Sequence, residues 1–213
     1  MSRYRAARKW SLASIVALFS LVTIAYPMAG ATALAQGTRK TIHVRIDTDV
    51  GKILVDVYTD KAPRTAANFL RYVADKRYNG GAFYRVVTMR NQPTSPVKIE
   101  VIQGGLDADS SKRLPAIAHE TNDKTGIKHL DGTISMARGA PGTASSEFFI
   151  CINDQPELDF GGKRNPDGQG FAAFGRVTKG MDVVRRIQQA PADSAPPQRL
   201  KTVPRIRSIV VIK

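Results

Sequence analysis

The chain has one cysteine among 213 residues, Cys151, which excludes an intramolecular disulfide and any zinc centre built on four cysteines or on two cysteines with two histidines. Histidines are few as well. His43, His119 and His129 stand alone, and each reads as a solvated or hydrogen-bonded imidazole, not as a metal ligand. Acids are scarce beside bases, 18 Asp plus Glu against 32 Lys plus Arg, and the net charge of +14 favours anionic surroundings without naming a partner. Aromatic residues make up 7%, and none falls in the basic stretch holding Arg199, Lys201, Arg205, Arg207 and Lys213. Without a stacking platform that stretch reads as a solvated face, and nucleic acid is not an expected partner. What remains is 42% hydrophobic and 23% charged, enough for one domain, or at most two small ones, with a core.

Long apolar runs are missing too. The one mostly apolar stretch, residues 12–25, covers 14 residues, short of the roughly 20 that a membrane-spanning helix needs. It follows Arg3, Arg5, Arg8 and Lys9 and precedes Ala33-Leu34-Ala35, the order of a secretory signal with a small-residue cleavage site. Residues 1–35 are therefore expected to be a signal peptide, and 36–213 one mature domain. The product would be exported, periplasmic or secreted, with Cys151 as a free thiol. If left uncleaved, the same segment would act as an anchor. After cleavage no stable membrane insertion is expected, and a monomer is.

Within 36–213, residues 41–47 and 51–58 alternate apolar and polar side chains around a turn at 48–51, which predicts a hairpin. Pro63 opens a helix with Ala66, Phe69, Leu70 and Val73 on one face. Short strands are expected at 83–87, 98–103, 132–136, 147–152, 171–177 and 206–212, and a second helix at 181–189. Loops at 88–96, 106–131, 138–146 and 159–170 separate them, and 190–197 reads as a local linker. Many short strands, two helices and no strand–helix–strand rhythm argue for an antiparallel barrel or sandwich.

Several chemistries fail on context. Gly168-x-Gly170-x-x-Ala173 follows a turn and precedes a strand, where a dinucleotide fingerprint needs the reverse. A P-loop would need residues other than Glu157 and Arg164 at those positions, and His119-Glu120 lacks the second histidine of a zincin helix. Neither 132–136 nor 142–146 completes a nucleophile elbow.

Three segments keep unusual features. Phe83-Tyr84-Arg85-Val86-Val87 sets an arginine in an apolar strand. Gln103-Gly104-Gly105 ends a strand on an amide beside two glycines, and Ser135-Met136-Ala137-Arg138 leads to Ser146-Glu147-Phe148-Phe149-Ile150. With Ala62-Pro63-Arg64-Thr65-Ala66-Ala67-Asn68-Phe69 and Phe174-Gly175-Arg176-Val177, they resemble the cyclophilin family of peptidyl-prolyl cis-trans isomerases, from about residue 41 to the end. The resemblance implies a closed eight-stranded antiparallel β-barrel capped by two α-helices, with a peptide groove outside. It implies Arg85 as the catalytic arginine and Gln103 as the amide holding it. Phe149 would floor a proline pocket walled by Val101 and Leu158. Ala137, Arg138, Glu147 and Phe171 would border the peptide. Substrates would be proline-containing polypeptides or unfolded client proteins, and no cofactor or metal is implied.

The residue types suit that reaction. Amide resonance puts a barrier of roughly 18–20 kcal/mol on rotation about X–Pro. A donor to the prolyl nitrogen localises its lone pair and favours the twisted amide, and an arginine stays charged at any working pH. The chain departs from the family pattern at Glu100 and Glu157, where pocket rings are common, and at Glu147, where Gln is. Loops 88–96 and 159–170 are expanded. Weak inhibition by cyclosporin and a mild preference for Lys or Arg near the proline are therefore expected. A peptide-binding or holdase module with little turnover is the competing reading, and an anionic-surface binder a third.

Overall fold

In a computed structural model, residues 41–107, 109–193 and 198–213 are described; the expected signal and its cleavage site lie outside them. The expected hairpin forms as β1 (Thr41–Thr48) and β2 (Gly51–Tyr58). Thr48 Oγ1 accepts from the Val50 amide and donates to the Gly51 carbonyl, which closes the turn. Helix α1 (Pro63–Ala74) follows. It buries Ala66, Phe69 and Val73 as expected, but Tyr72 instead of Leu70 completes its inner face. No side chain of its own first turn caps it. Glu120 accepts the free amides of Arg64 and Thr65 and the Thr65 hydroxyl at 2.6–3.1 Å, satisfying orphan donors from across the sequence.

β3 (Ala82–Val87), β4 (Val101–Gly105), β5 (Thr133–Met136), β6 (Phe148–Cys151), β7 (Ala172–Lys179) and β8 (Ile206–Ile212) complete one sheet. Its order is β3-β4-β6-β5-β7-β2-β1-β8, and every pairing is antiparallel. A one-turn helix, α2 (Asn122–Thr125), breaks the long irregular stretch, and α3 (Met181–Gln189) has the bounds expected from its periodicity. α1 packs against β2, β7 and β8, and α3 against β2, β3 and β4.

The expected closed barrel is corrected in one respect. The sheet curls into an open half-barrel whose edge strands, β3 and β8, form no ladder; an isolated bridge joins Ala82 to Arg205, the residue before β8. Farther along β3, residues 198–200 take the free edge instead. The Val86 amide donates to the Gln198 carbonyl, and the Leu200 amide to that of Tyr84. The stretch read as a linker thus leads into an edge-covering segment.

Inside the curl Phe69, Tyr72, Tyr78, Phe83, Phe148 and Phe174 are fully buried, with Phe148 edge-on to Phe69, Tyr78 and Phe83. A second, smaller cluster lies on the other face: Val87, Ile99, Val101, Phe149, Cys151 and Leu158. Strand β6 buries all four of its residues because it is covered on both sides. Cys151, as expected, is a free thiol, and burial pushes its pKa well up. The outer cluster is the base on which the site sits.

Candidate active site

Strand alternation alone would put Tyr84 and Arg85 on opposite faces of β3. A bulge prevents that: Phe83 pairs with Gly104 and Arg85 with Gln103, so one residue is extra. Both side chains therefore stay partly exposed, between buried neighbours on either side.

Arg85 Nη1 donates to Gln103 Oε1 at 2.7 Å, and its Nε and Nη2 donate to Gln198 Oε1 at 2.9 and 2.5 Å. Three of its N–H groups are thus fixed by two amides, and two remain for a ligand. Burial, and then the charge of Arg164, draw its pKa below the usual arginine value; a guanidinium stays charged nonetheless.

A polar chain continues behind it. Gln103 Nε2 donates to the Tyr84 hydroxyl (2.7 Å), which donates to Glu147 Oε2 (2.8 Å). Glu147 Oε1 accepts from the Leu106 amide and the Ser146 hydroxyl at 3.1 and 3.0 Å. The acceptor-only carboxylate sets the direction of the chain, so the Gln103 carbonyl must face Arg85. Burial raises the Glu147 pKa, against the pull of the Tyr84, Ser146 and Leu106 donors, and burial pushes the Tyr84 phenol up. Gly105, at φ +146°, allows this approach, since a Cβ there would lie 2.5 Å from Glu147 Oε2.

Beside this chain opens a pocket of about 450 Å3, within the range of ordinary ligand clefts. It gathers eight of the nine residues expected from the sequence. Arg85, Gln103 and Glu147 line it together with Val101, Phe149 and Phe171, and Ala137 and Arg138 form part of its rim. Leu158 does not line it; it is buried under the floor, in the cluster that supports Phe149. Phe171 stands edge-on to Phe149 with ring centres 5.3 Å apart. Arg138 lies over Phe171 and is locked by Asp167 through two contacts of 2.8 and 2.9 Å. That hydrogen bonding holds the Asp167 carboxyl down to about 2.

Two expected intrusions into the pocket do not occur. Glu100 faces away, accepting from Asn153 and Gln188, and Ile99 occupies the wall instead. Glu157 lies outside the lining and accepts the Lys163 amide. Conversely, Gln198, Tyr84, Arg113 and Arg164 belong to the site or its support and were not singled out by the sequence. The two expanded loops are tied together here: Arg164 Nη1 reaches Gln92 Oε1, Ser95 Oγ and the Val97 carbonyl at 2.6–2.9 Å.

His129 is not solitary. Its Nδ1 lies 2.8 Å from Asp159 Oδ1 and its Nε2 3.0 Å from Ser135 Oγ, and its ring stacks on Phe149. Burial opposes ionisation of Asp159, but the bonds from His129 outweigh it and lower the pKa. Among the described residues no His, Cys, Asp or Glu group is placed to hold a metal ion, and no helix is long and apolar enough to cross a membrane.

Known proteins match this arrangement. The family model described as cyclophilin type peptidyl-prolyl cis-trans isomerase/CLD matches residues 43–211. Peptidyl-prolyl cis-trans isomerase A of Dickeya dadantii is 32% identical over 189 residues, covering 87% of each chain. Peptidyl-prolyl cis-trans isomerase B of Escherichia coli is 36% identical over 149 residues, 68% of this chain and 83% of that one. A crystal structure of a cyclophilin type isomerase from Cryptosporidium parvum superposes with a TM-score of 0.64 at 21% identity, covering 81% of this chain and 98% of that one. The chain therefore belongs to the cyclophilin-type peptidyl-prolyl cis-trans isomerases and is an enzyme of that class.

Proposed function

We propose that this isomerase acts on X–Pro bonds of exported polypeptides, in the periplasm or outside the cell, and so assists their folding. The mature protein is a monomer released from its signal. The observation that carries the assignment of the site is the Arg85 guanidinium, fixed by Gln103 and Gln198 beside the Phe149 floor with two N–H groups unspent. Phe149, Val101 and Phe171 seat the pyrrolidine ring, with Leu158 packed beneath. The backbone at Ala137 and Arg138 aligns the neighbouring residues, and the Arg85 N–H groups donate to the prolyl nitrogen.

That donation takes the lone pair out of amide resonance and lowers a barrier of roughly 18–20 kcal/mol. Rotation breaks no covalent bond, so neither a nucleophile nor a proton transfer is required. Fixing the guanidinium beforehand removes a reorganisation cost from the twisted state. An arginine held in this way suits turnover; a holdase would need only the apolar floor. The experiment is a prolyl-peptide isomerisation assay on residues 36–213, paired with N-terminal sequencing of exported material. Catalysed turnover and a start at Gln36 are expected; no turnover, or a start at Met1 in the membrane fraction, would contradict the reading.

A further inference from the structure

The charge around the pocket is one-sided. Arg85, Arg113, Arg138 and Arg164 line it against a single carboxylate, Glu147. Arg138 is already neutralised by Asp167, and both oxygens of Glu147 are taken by Tyr84, Leu106 and Ser146. Arg164 reaches only neutral acceptors. The Arg113 side chain is exposed and makes no hydrogen bond or ion pair among the described residues. Arg85, Arg113 and Arg164 thus share one concavity with the single carboxylate of Glu147, an excess of positive charge. Burial first, and then the charge of Arg164, lower the Arg85 pKa, and a concave low-dielectric wall concentrates the field of like charges.

We propose that the pocket selects prolyl peptides carrying a carboxylate side chain next to the proline, with Arg113 and Arg164 as the selecting residues. This rests on the pocket being the isomerase site. It reverses the preference for basic substrates expected from the sequence, because Glu100 and Glu157 lie outside the lining and Glu147 is spent on its own donors. Arg85 is occupied on three N–H groups, so the carboxylate falls to Arg113, whose fork is free to receive it in two-point fashion. Arg164 adds attraction without giving up its loop contacts.

The test uses three peptides differing only in the residue before proline: Glu, Gln or Lys. Catalytic efficiency is measured with the full chain and with Arg113→Gln, a change at an exposed side chain that makes no hydrogen bond or ion pair among the described residues. One exposed pair weighs little, but Glu gains and Lys loses against two arginines, so Glu should exceed Lys by about tenfold at low salt. The ratio should approach one at about 1 M salt, where the Debye length is about 3 Å. In Arg113→Gln it should fall at least by half, with Arg164→Gln acting in the same direction. A Lys peptide turned over as fast as the Glu peptide, or a ratio that neither variant nor salt alters, would overturn the proposal. Affinities of the same peptides, read by fluorescence polarisation, separate the two claims. No turnover of the Gln peptide would defeat the isomerase assignment, while Glu over Lys in affinity would still decide the selectivity.

Discussion

Phe149 has a polar neighbour on each side along one face of the sheet: Gln103 across to β4 and Ser135 across to β5. From Gln103 a chain runs to Arg85 in one direction and to Tyr84 and Glu147 in the other. From Ser135 another chain runs through His129 to Asp159. Composition alone would make the Ser135 chain the more reactive, since a Ser–His–Asp order at 3.0 and 2.8 Å is that of a hydrolytic triad. Yet Ser135 is 0% exposed and His129 1%, so no acyl group can reach the hydroxyl. The Gln103 chain ends in an open pocket with donor capacity left over. Access and unspent hydrogen bonds, not residue inventory, separate a site from a structural network.

The substitution that removes the packing shared by both chains is Phe149→Ala. The ring is 4% exposed, more buried than a pocket side chain needs to be, because it also packs on His129 and Phe171. Unfolding in urea should show a loss of about 3–5 kcal/mol, and affinity for proline peptides should fall. A stability loss with unchanged affinity would move Phe149 from the pocket to the core. Arg85→Ala breaks only the open chain. Removing a positioned donor of this kind costs about 100- to 1,000-fold in turnover, and the thermal midpoint should change little, since the two amides that lose a partner, Gln103 and Gln198, are only half-buried.

Ser135→Ala breaks only the sealed chain. It leaves the His129 ring without one partner, at about 1–3 kcal/mol, and the isomerisation rate should stay near wild type. A large loss of turnover with intact stability would mean that the buried chain takes part in the chemistry. The smallest effect concerns Glu147. Its folded-state pKa is raised, mainly by burial, so the folded protein binds the proton more tightly than the unfolded chain does. Its contribution is therefore fully present at pH values below the unfolded carboxylate pKa and lost as pH rises through the folded one. The stability of wild type relative to Glu147→Gln should fall with rising pH across that range, as denaturant melts at several pH values would show.

Much of this was legible in the sequence where a local pattern fixes the geometry. The first hairpin follows from alternation on either side of a turn, and α3 follows from its apolar face. Arg85, Gln103 and Phe149 could be singled out because each sits in a short block of unusual composition. Tyr84 escaped notice because a bulge breaks the alternation that would have hidden it. Gln198 escaped because its segment reaches Arg85 through backbone pairing with an edge strand, which leaves no periodic signal. Glu100 teaches the opposite lesson. Strand period puts Glu100 on the face opposite Val101, and its bonds to Asn153 and Gln188 follow that period, not the family position. Glu120 at the start of α1 and the Ser135–His129–Asp159 chain depend on contacts across the fold that sequence spacing does not encode.

The central claim is that Arg85, at the open end of its chain, donates to the prolyl nitrogen while the sealed Ser–His–Asp chain does no chemistry. Exchange NMR on an Ala-Pro-containing peptide with a small fraction of protein tests it without any coupled reaction. Cross-peaks between the cis and trans proline forms should appear with wild type and with Ser135→Ala and vanish with Arg85→Ala. Cross-peaks that persist in Arg85→Ala, or disappear in a folded Ser135→Ala, would contradict the account.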